Sequence, residues 1–133
     1  MVVDSSAIVA IATQEPEAEA FSVALAEKAP KLMSMVTYFE TASVLMQKKP
    51  MNGLSFVEGI VGETLIELIG FEHDQLRRAI EARRVYGRGT GHPAQLNFGD
   101  CFSYALARTR NMPLLFKGDD FVHTDIASAL PAG

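Results

Sequence analysis

Short apolar runs alternate with longer amphipathic stretches along the whole chain. Met1–Asp4 is an apolar run ending in an acid, which predicts a buried strand feeding a helix over Ser5–Ala12. Thr13–Pro16 breaks that periodicity. Pro16 suits the first turn of a second helix, where Glu15, Glu17 and Glu19 complement the positive end of the helix dipole. Ala18, Phe21, Leu25 and Ala29 keep helical spacing until Pro30 ends it. Lys31–Met35 reads as a second strand, Thr37–Lys48 as a helix stopped by Pro50, Leu54–Glu63 as a short helix and Leu65–Phe71 as a third strand. A basic helix over His73–Tyr86, a glycine-rich loop over 87–97, a helix over Gly99–Arg110, a strand over Pro113–Phe116 and a turn over Lys117–Asp120 complete the series.

Strands that alternate with helices from end to end predict an α/β fold, a three-layer α/β/α sandwich around a central parallel sheet. In such sheets ligands bind beyond the carboxyl ends of the strands, so residues just after strands carry the functional argument. The length, 133 residues, is room for a single domain over 1–133, and neither 49–54 nor 87–97 is long enough to be a domain linker.

Composition narrows the class. With 48% hydrophobic and 21% charged residues the chain is neither disordered nor collagen-like. No apolar run approaches the roughly 20 residues of a membrane span, and the acidic start MVVDSS lacks the basic region of a signal peptide. Cys101 is the only cysteine, which excludes an internal disulfide framework and a cysteine-based zinc site. A cytoplasmic protein without membrane contact is expected. The net charge of −4 hides an uneven distribution: 76–110 holds seven arginines against Glu81 and Asp100. A basic stretch of that kind either faces a phosphate backbone or is a solvated helix face.

Four acids fall near strand exits. Asp4 follows the first strand and Asp119 the last, so both belong at one edge of a parallel sheet. Glu40 lies one turn into the helix after the second strand, and Asp100 in the first turn of the helix after the glycine-rich loop. Each has an ordinary reading. Asp4 suits an N-cap, Asn97 and Asp100 a capping box, and Asp119 with Asp120 a turn after Gly118. Glu40 is harder to place at a surface, because Val36 and Val44 share its stripe and no base lies within a turn. Clustered carboxylates repel unless a cation sits between them. An all-oxygen donor set selects Mg²⁺ or Mn²⁺, which is the equipment of phosphodiester hydrolysis.

Asp4-Ser5-Ser6-Ala7, Glu40, Asn97-Phe98-Gly99-Asp100-Cys101-Phe102 and Leu114-Leu115-Phe116-Lys117-Gly118-Asp119-Asp120-Phe121 together resemble the PIN-domain ribonucleases, most closely the VapC toxins of bacterial toxin–antitoxin pairs. The resemblance spans essentially the whole chain. It implies the PIN-like α/β/α fold, Mg²⁺- or Mn²⁺-dependent endoribonuclease activity on RNA, homodimerisation and neutralisation by a cognate VapB-like antitoxin. By position it makes Asp4, Glu40 and Asp100 the catalytic and metal-binding acids and Asp119 the fourth, with Asp120 adjacent as the alternative. Ser6 falls where the family has a hydroxyl near the first acid and Asn97 at a polar position beside the third. Ser5 stands where the family usually has Thr.

Lys117, Arg83, Arg84 and Arg88 are the candidates for RNA backbone contacts, Lys117 through its expected nearness to Asp119 or, equally, as an ion pair with the acids. Cys101 reads as a buried structural thiol, and His73, His92 and His123 lack metal-ligand spacing. Met33, Met35 and Met46 read as core. Phe56, Ile60 and Val61 have the spacing of a groove for an antitoxin helix. The competing reading is a non-catalytic module that keeps the fold and only holds a partner peptide.

Overall fold

The computed structural model describes residues 1–130. Its strands are β1 (Val2–Val3), β2 (Leu32–Ser34), β3 (Glu67–Ile69) and β4 (Leu114–Leu115), all parallel in the order β3-β2-β1-β4. The helices are α1 (Ser5–Ala12), α2 (Ala18–Ala26), α3 (Met35–Lys48), α4 (Gly53–Glu63), α5 (His73–Tyr86) and α6 (Asp100–Arg110). Val2 pairs with Leu32 on one side and Leu114 on the other. Beyond β4, the backbone at 127–129 bonds to both sides of Leu114 and lengthens the sheet edge.

β1, β2 and β4 are buried on both faces because both faces are covered. Val2, Leu32 and Leu114 pack with α5 and α6, whereas their successors Val3, Met33 and Leu115 pack with α1, α2, α3 and α4. One residue of advance along a strand thus changes the layer a side chain enters. Right-handed crossovers explain the segregation. The steps β1 to β2 and β2 to β3 run in one direction and leave their helices on one face, while β3 to β4 returns across the sheet and puts α5 and α6 on the other. The reversal opens a crevice at the carboxyl ends of β1 and β4.

The three-layer expectation is met, and the boundary differences have local causes. The helix expected from Thr37 starts at Met35 because the Ser34 hydroxyl caps it, accepting from Val36 N at 3.2 Å. The strand expected from Leu65 begins only at Glu67. Leu65 takes a left-handed φ of +58° and Ile66 N returns to Val61 O, so both residues finish α4. The second helix ends at Ala26 rather than Ala29, and Lys31 Nζ donates to the carbonyl of Glu27 just past it. Met33 is core as expected, but Met35 and Met46 are exposed. No helix among the described residues is long and apolar enough to cross a membrane.

Candidate active site

Asp4 leaves β1 at the centre of the crevice and is 2% exposed. Its carboxylate caps α1, where Oδ2 accepts from Ser6 N at 3.1 Å and from Ser6 Oγ at 2.6 Å. The Ser6 hydroxyl in turn accepts from the backbone N–H of Lys117 at 2.9 Å, which fastens the exit of β4 to the exit of β1. The other oxygen, Oδ1, accepts from Ser103 Oγ at 2.5 Å. Ser6 thus stands beside Asp4, bonded to its carboxylate. Ser103 was not among the residues singled out from sequence.

Asp100 opens α6. Asn97 Oδ1 accepts from Asp100 N at 2.8 Å and Asp100 Oδ2 accepts from Asn97 N at 2.9 Å. This is the reciprocal capping pair, and it fixes one carboxylate oxygen. Asn97 thus acts on Asp100 rather than facing the crevice on its own account. Burial pushes the Asp100 carboxyl up to about 7, and the negative charges of Asp4, Asp120 and Glu40 add to the rise against the pull of the Asn97 amide.

Glu40 projects from the second turn of α3 and is half-buried. Its carboxylate lies against Gly99 so closely that a Cβ at 99 would overlap it. Burial raises its proton affinity, the Ser5 hydroxyl offsets part of that, and Asp4 adds to it. Glu40 also lines a cleft of about 230 Å³ with Val36, Phe39, Phe98 and Phe102.

The expectation left the fourth acid open between Asp119 and Asp120. Asp120, not Asp119, contributes to the repulsion at Asp100, and Asp119 is exposed. Gly118 takes a left-handed φ of +107° between Lys117 and the two aspartates. Lys117 is also not beside Asp119. Its ammonium pairs with Glu15 at 3.0 Å and Glu17 at 3.4 Å, at the turn between α1 and α2.

The arginines divide. Arg83 lines an apolar groove of about 470 Å³ with Phe71, Leu76, Ile80, Phe98 and Phe102, next to the acids. Arg84 is exposed and forked onto Glu81, at 2.6 and 3.1 Å. Arg88 is exposed at the start of a loop closed by the bridge between Gly87 and Leu96. A larger cleft, about 680 Å³, lies elsewhere, between Arg77, Arg78 and Arg108 with Asp74 and Glu81. Its α6 residues are about 12 Å along that helix from Asp100, and its charges are of mixed sign. The acids, not the volume, mark the site.

Asp4, Asp100, Glu40 and Asp120 offer carboxylate oxygens only, which fits Mg²⁺ or Mn²⁺. Among the described residues no group of three acids, histidines or cysteines is placed as a ready-made metal site. Mg²⁺ does not need one, since it keeps several waters and takes one or two carboxylates directly. Cys101 is buried, its thiol raised mainly by burial, and it donates to Asn97 O. On the opposite layer, Phe56 and Ile60 line a groove of about 400 Å³ with Ile11 and Leu25. Val61, expected beside them, points instead into the core.

Residues 1–127 match the PIN domain family. Ribonuclease VapC30 of Mycobacterium tuberculosis is 45% identical over 132 residues, covering 98% of this chain and 100% of the relative. Ribonuclease VapC42 of the same species is 43% identical over 129 residues, covering 97% and 98%. The fold is similar to the crystal structure of VapC20 of Mycobacterium tuberculosis, described as a sarcin-ricin loop cleaving toxin, with TM-score 0.76, 18% identity and 98% of both chains covered. A toxin–antitoxin complex from Klebsiella pneumoniae is similar at TM-score 0.64 and 17% identity, over 90% of this chain and 88% of that one. The chain belongs to the PIN domain family. Within that family it is a ribonuclease of the VapC toxin type.

Proposed function

We propose that this VapC-type ribonuclease is a divalent-metal-dependent endonuclease. Asp4 and Asp100 would hold the ion directly, with Glu40 and Asp120 completing the pocket. The observation that carries the reading is the placement of Asp4, Glu40, Asp100 and Asp120 around the exits of β1 and β4, where burial, with the neighbouring negative charges adding to it, lifts the Asp100 carboxyl to about 7. When bound there, Mg²⁺ or Mn²⁺ supplies Lewis acidity toward the phosphate and lowers the pKa of a water.

The chain's own residues do the rest. Ser6 and Ser103 hold both oxygens of Asp4 in one orientation. Asn97 holds one oxygen of Asp100 and leaves the other toward the crevice. Glu40, with raised proton affinity and half-buried beside Asp4, is suited to accept a proton from the attacking water. Arg83, from the groove beside the acids, and Arg88 are proposed to meet the RNA backbone. The exposed pair of Arg84 is weak enough to open for a phosphate. Lys117 instead braces the α1–α2 turn.

The wider biology rests on two apolar surfaces. We infer that an antitoxin segment occupies the groove of Ile11, Leu25, Phe56 and Ile60, as the groove is open and mostly apolar. A second copy of the chain is proposed to cover the continuous surface of Phe39, Phe98, Ile80 and Leu76, all exposed. The deciding experiment is RNA cleavage with Mg²⁺ by Asp4→Ala and Asp100→Ala. A loss of at least ~10³-fold with the circular dichroism spectrum unchanged is expected. Cleavage at the wild-type rate by either variant would refute the assignment.

A further inference from the structure

Beneath the carboxylates lies a second layer made of hydroxyls. Ser103 sits one helical turn after Asp100 on α6, and Thr37 one turn before Glu40 on α3. Both are buried completely, at 0% and 1% exposure. The Ser103 hydroxyl donates to Asp4 Oδ1 at 2.5 Å. Its oxygen stands 3.3 Å from Thr37 Oγ1. Because the Ser103 proton is committed to the carboxylate, Thr37 is the donor in that contact. The Thr41 hydroxyl, one turn further along α3, is committed to the carbonyl of Thr37 at 2.7 Å and takes no part.

We propose that Ser103 is a positioning residue for the metal-binding acids, and that Thr37 acts through it. This rests on the metal-dependent reading above. A buried carboxylate needs donors, and among the described residues no cation pairs with Asp4. Its donors are hydroxyls and one backbone amide, so its orientation depends on where those hydroxyls are held. Ser103 ties the helix that carries Asp100 to the strand end that carries Asp4. Thr37 ties the helix that carries Glu40 to Ser103. The chain Thr37–Ser103–Asp4 therefore sets the spacing of three acids that come from three different elements. Hydrogen-bonded supports behind metal ligands typically matter by ~10–100-fold in affinity.

The test is calorimetric titration of the apo protein with Mn²⁺ alone, on wild type, Ser103→Ala, Thr37→Val, the double variant and Asp4→Asn. Thr37→Val keeps volume and removes only the hydroxyl. Ser103→Ala is expected to weaken Mn²⁺ binding by ~10-fold or more with the melting temperature within a few degrees of wild type. Thr37→Val is expected to weaken it less, and to add nothing once Ser103 is Ala. Binding by Ser103→Ala within twofold of wild type would overturn the proposal, as would an undiminished Thr37→Val effect in the Ser103→Ala background. Asp4→Asn separates the two readings. If it binds Mn²⁺ as wild type does, or if wild type binds none, the metal-dependent reading fails. If Asp4→Asn loses binding while Ser103→Ala keeps it, only the positioning role fails.

Discussion

Asp100 is the residue at which the energetic cost of the site is most visible. Its carboxyl is shifted up to about 7 from an ordinary value near 4, so the folded chain holds this proton more tightly than the unfolded chain. The stability it contributes is fully present below the unfolded value and is lost as pH rises through about 7. The apo protein should therefore melt lower at pH 8 than at pH 6. Asp100→Asn, which keeps an acceptor for the Asn97 amide, should remove most of that slope and raise the pH 8 melting temperature by about 3 °C or more. Differential scanning calorimetry checks this, and saturating Mg²⁺ should flatten the wild-type slope in the same way. The same convergence decides between the adjacent aspartates. Asp120→Asn should slow Mg²⁺-supported RNA cleavage by at least ~10-fold and Asp119→Asn by no more than ~3-fold. The reverse order in a side-by-side rate measurement would return the fourth position to Asp119.

At the scale of elements, two glycines separate chemistry from stability. A Cβ at Gly99 meets the end of the Glu40 side chain, which can swing away. Gly99→Ala should therefore cost cleavage by ~10-fold or more while the melting temperature barely moves. A Cβ at Gly53 meets the backbone carbonyl of Leu45, where α4 crosses α3 and nothing can yield. Gly53→Ala should cost about 2 kcal/mol or more in urea unfolding and leave the metal site intact. These crossings also show what the sequence discloses. Asp4, Glu40 and Asp100 were legible because each follows a strand exit or a capping signal at a fixed offset. The fourth acid stayed open between Asp119 and Asp120, since the sequence does not show how the turn after Gly118 orients two adjacent aspartates. Ser103 and Thr37 carried no signal of their own. A neutral hydroxyl one turn from an acid is common, and their contact joins residues 66 apart in the chain. The usable hint was that each sits three positions from an acid on its own helix.

Across the whole molecule, the two faces of the sheet divide the work. The layer of α1, α2 and α4 presents the groove proposed for the antitoxin. The layer of α5 and α6, with the exposed end of α3, presents Phe39, Phe98, Leu76 and Ile80 around the mouth of the acid pocket. Light scattering should give a dimer mass for wild type and a monomer for Ile80→Asp, whose position is exposed on α5. A monomeric wild type at tens of micromolar would remove the second copy from the account. The fold class was legible because both faces of every buried strand are apolar. The arginine placements were not, because pairing with Glu81 and packing beside Phe98 are settled only when α5 meets α6. The claim beneath all of this is that side chains from four elements share one divalent cation. Anomalous scattering from crystals soaked in MnCl₂ tests it most directly. The account predicts the strongest peak between Asp4 and Asp100, about 2–2.5 Å from a carboxylate oxygen of each. A peak confined to another part of the surface, or no peak in protein that still cleaves RNA, would contradict it.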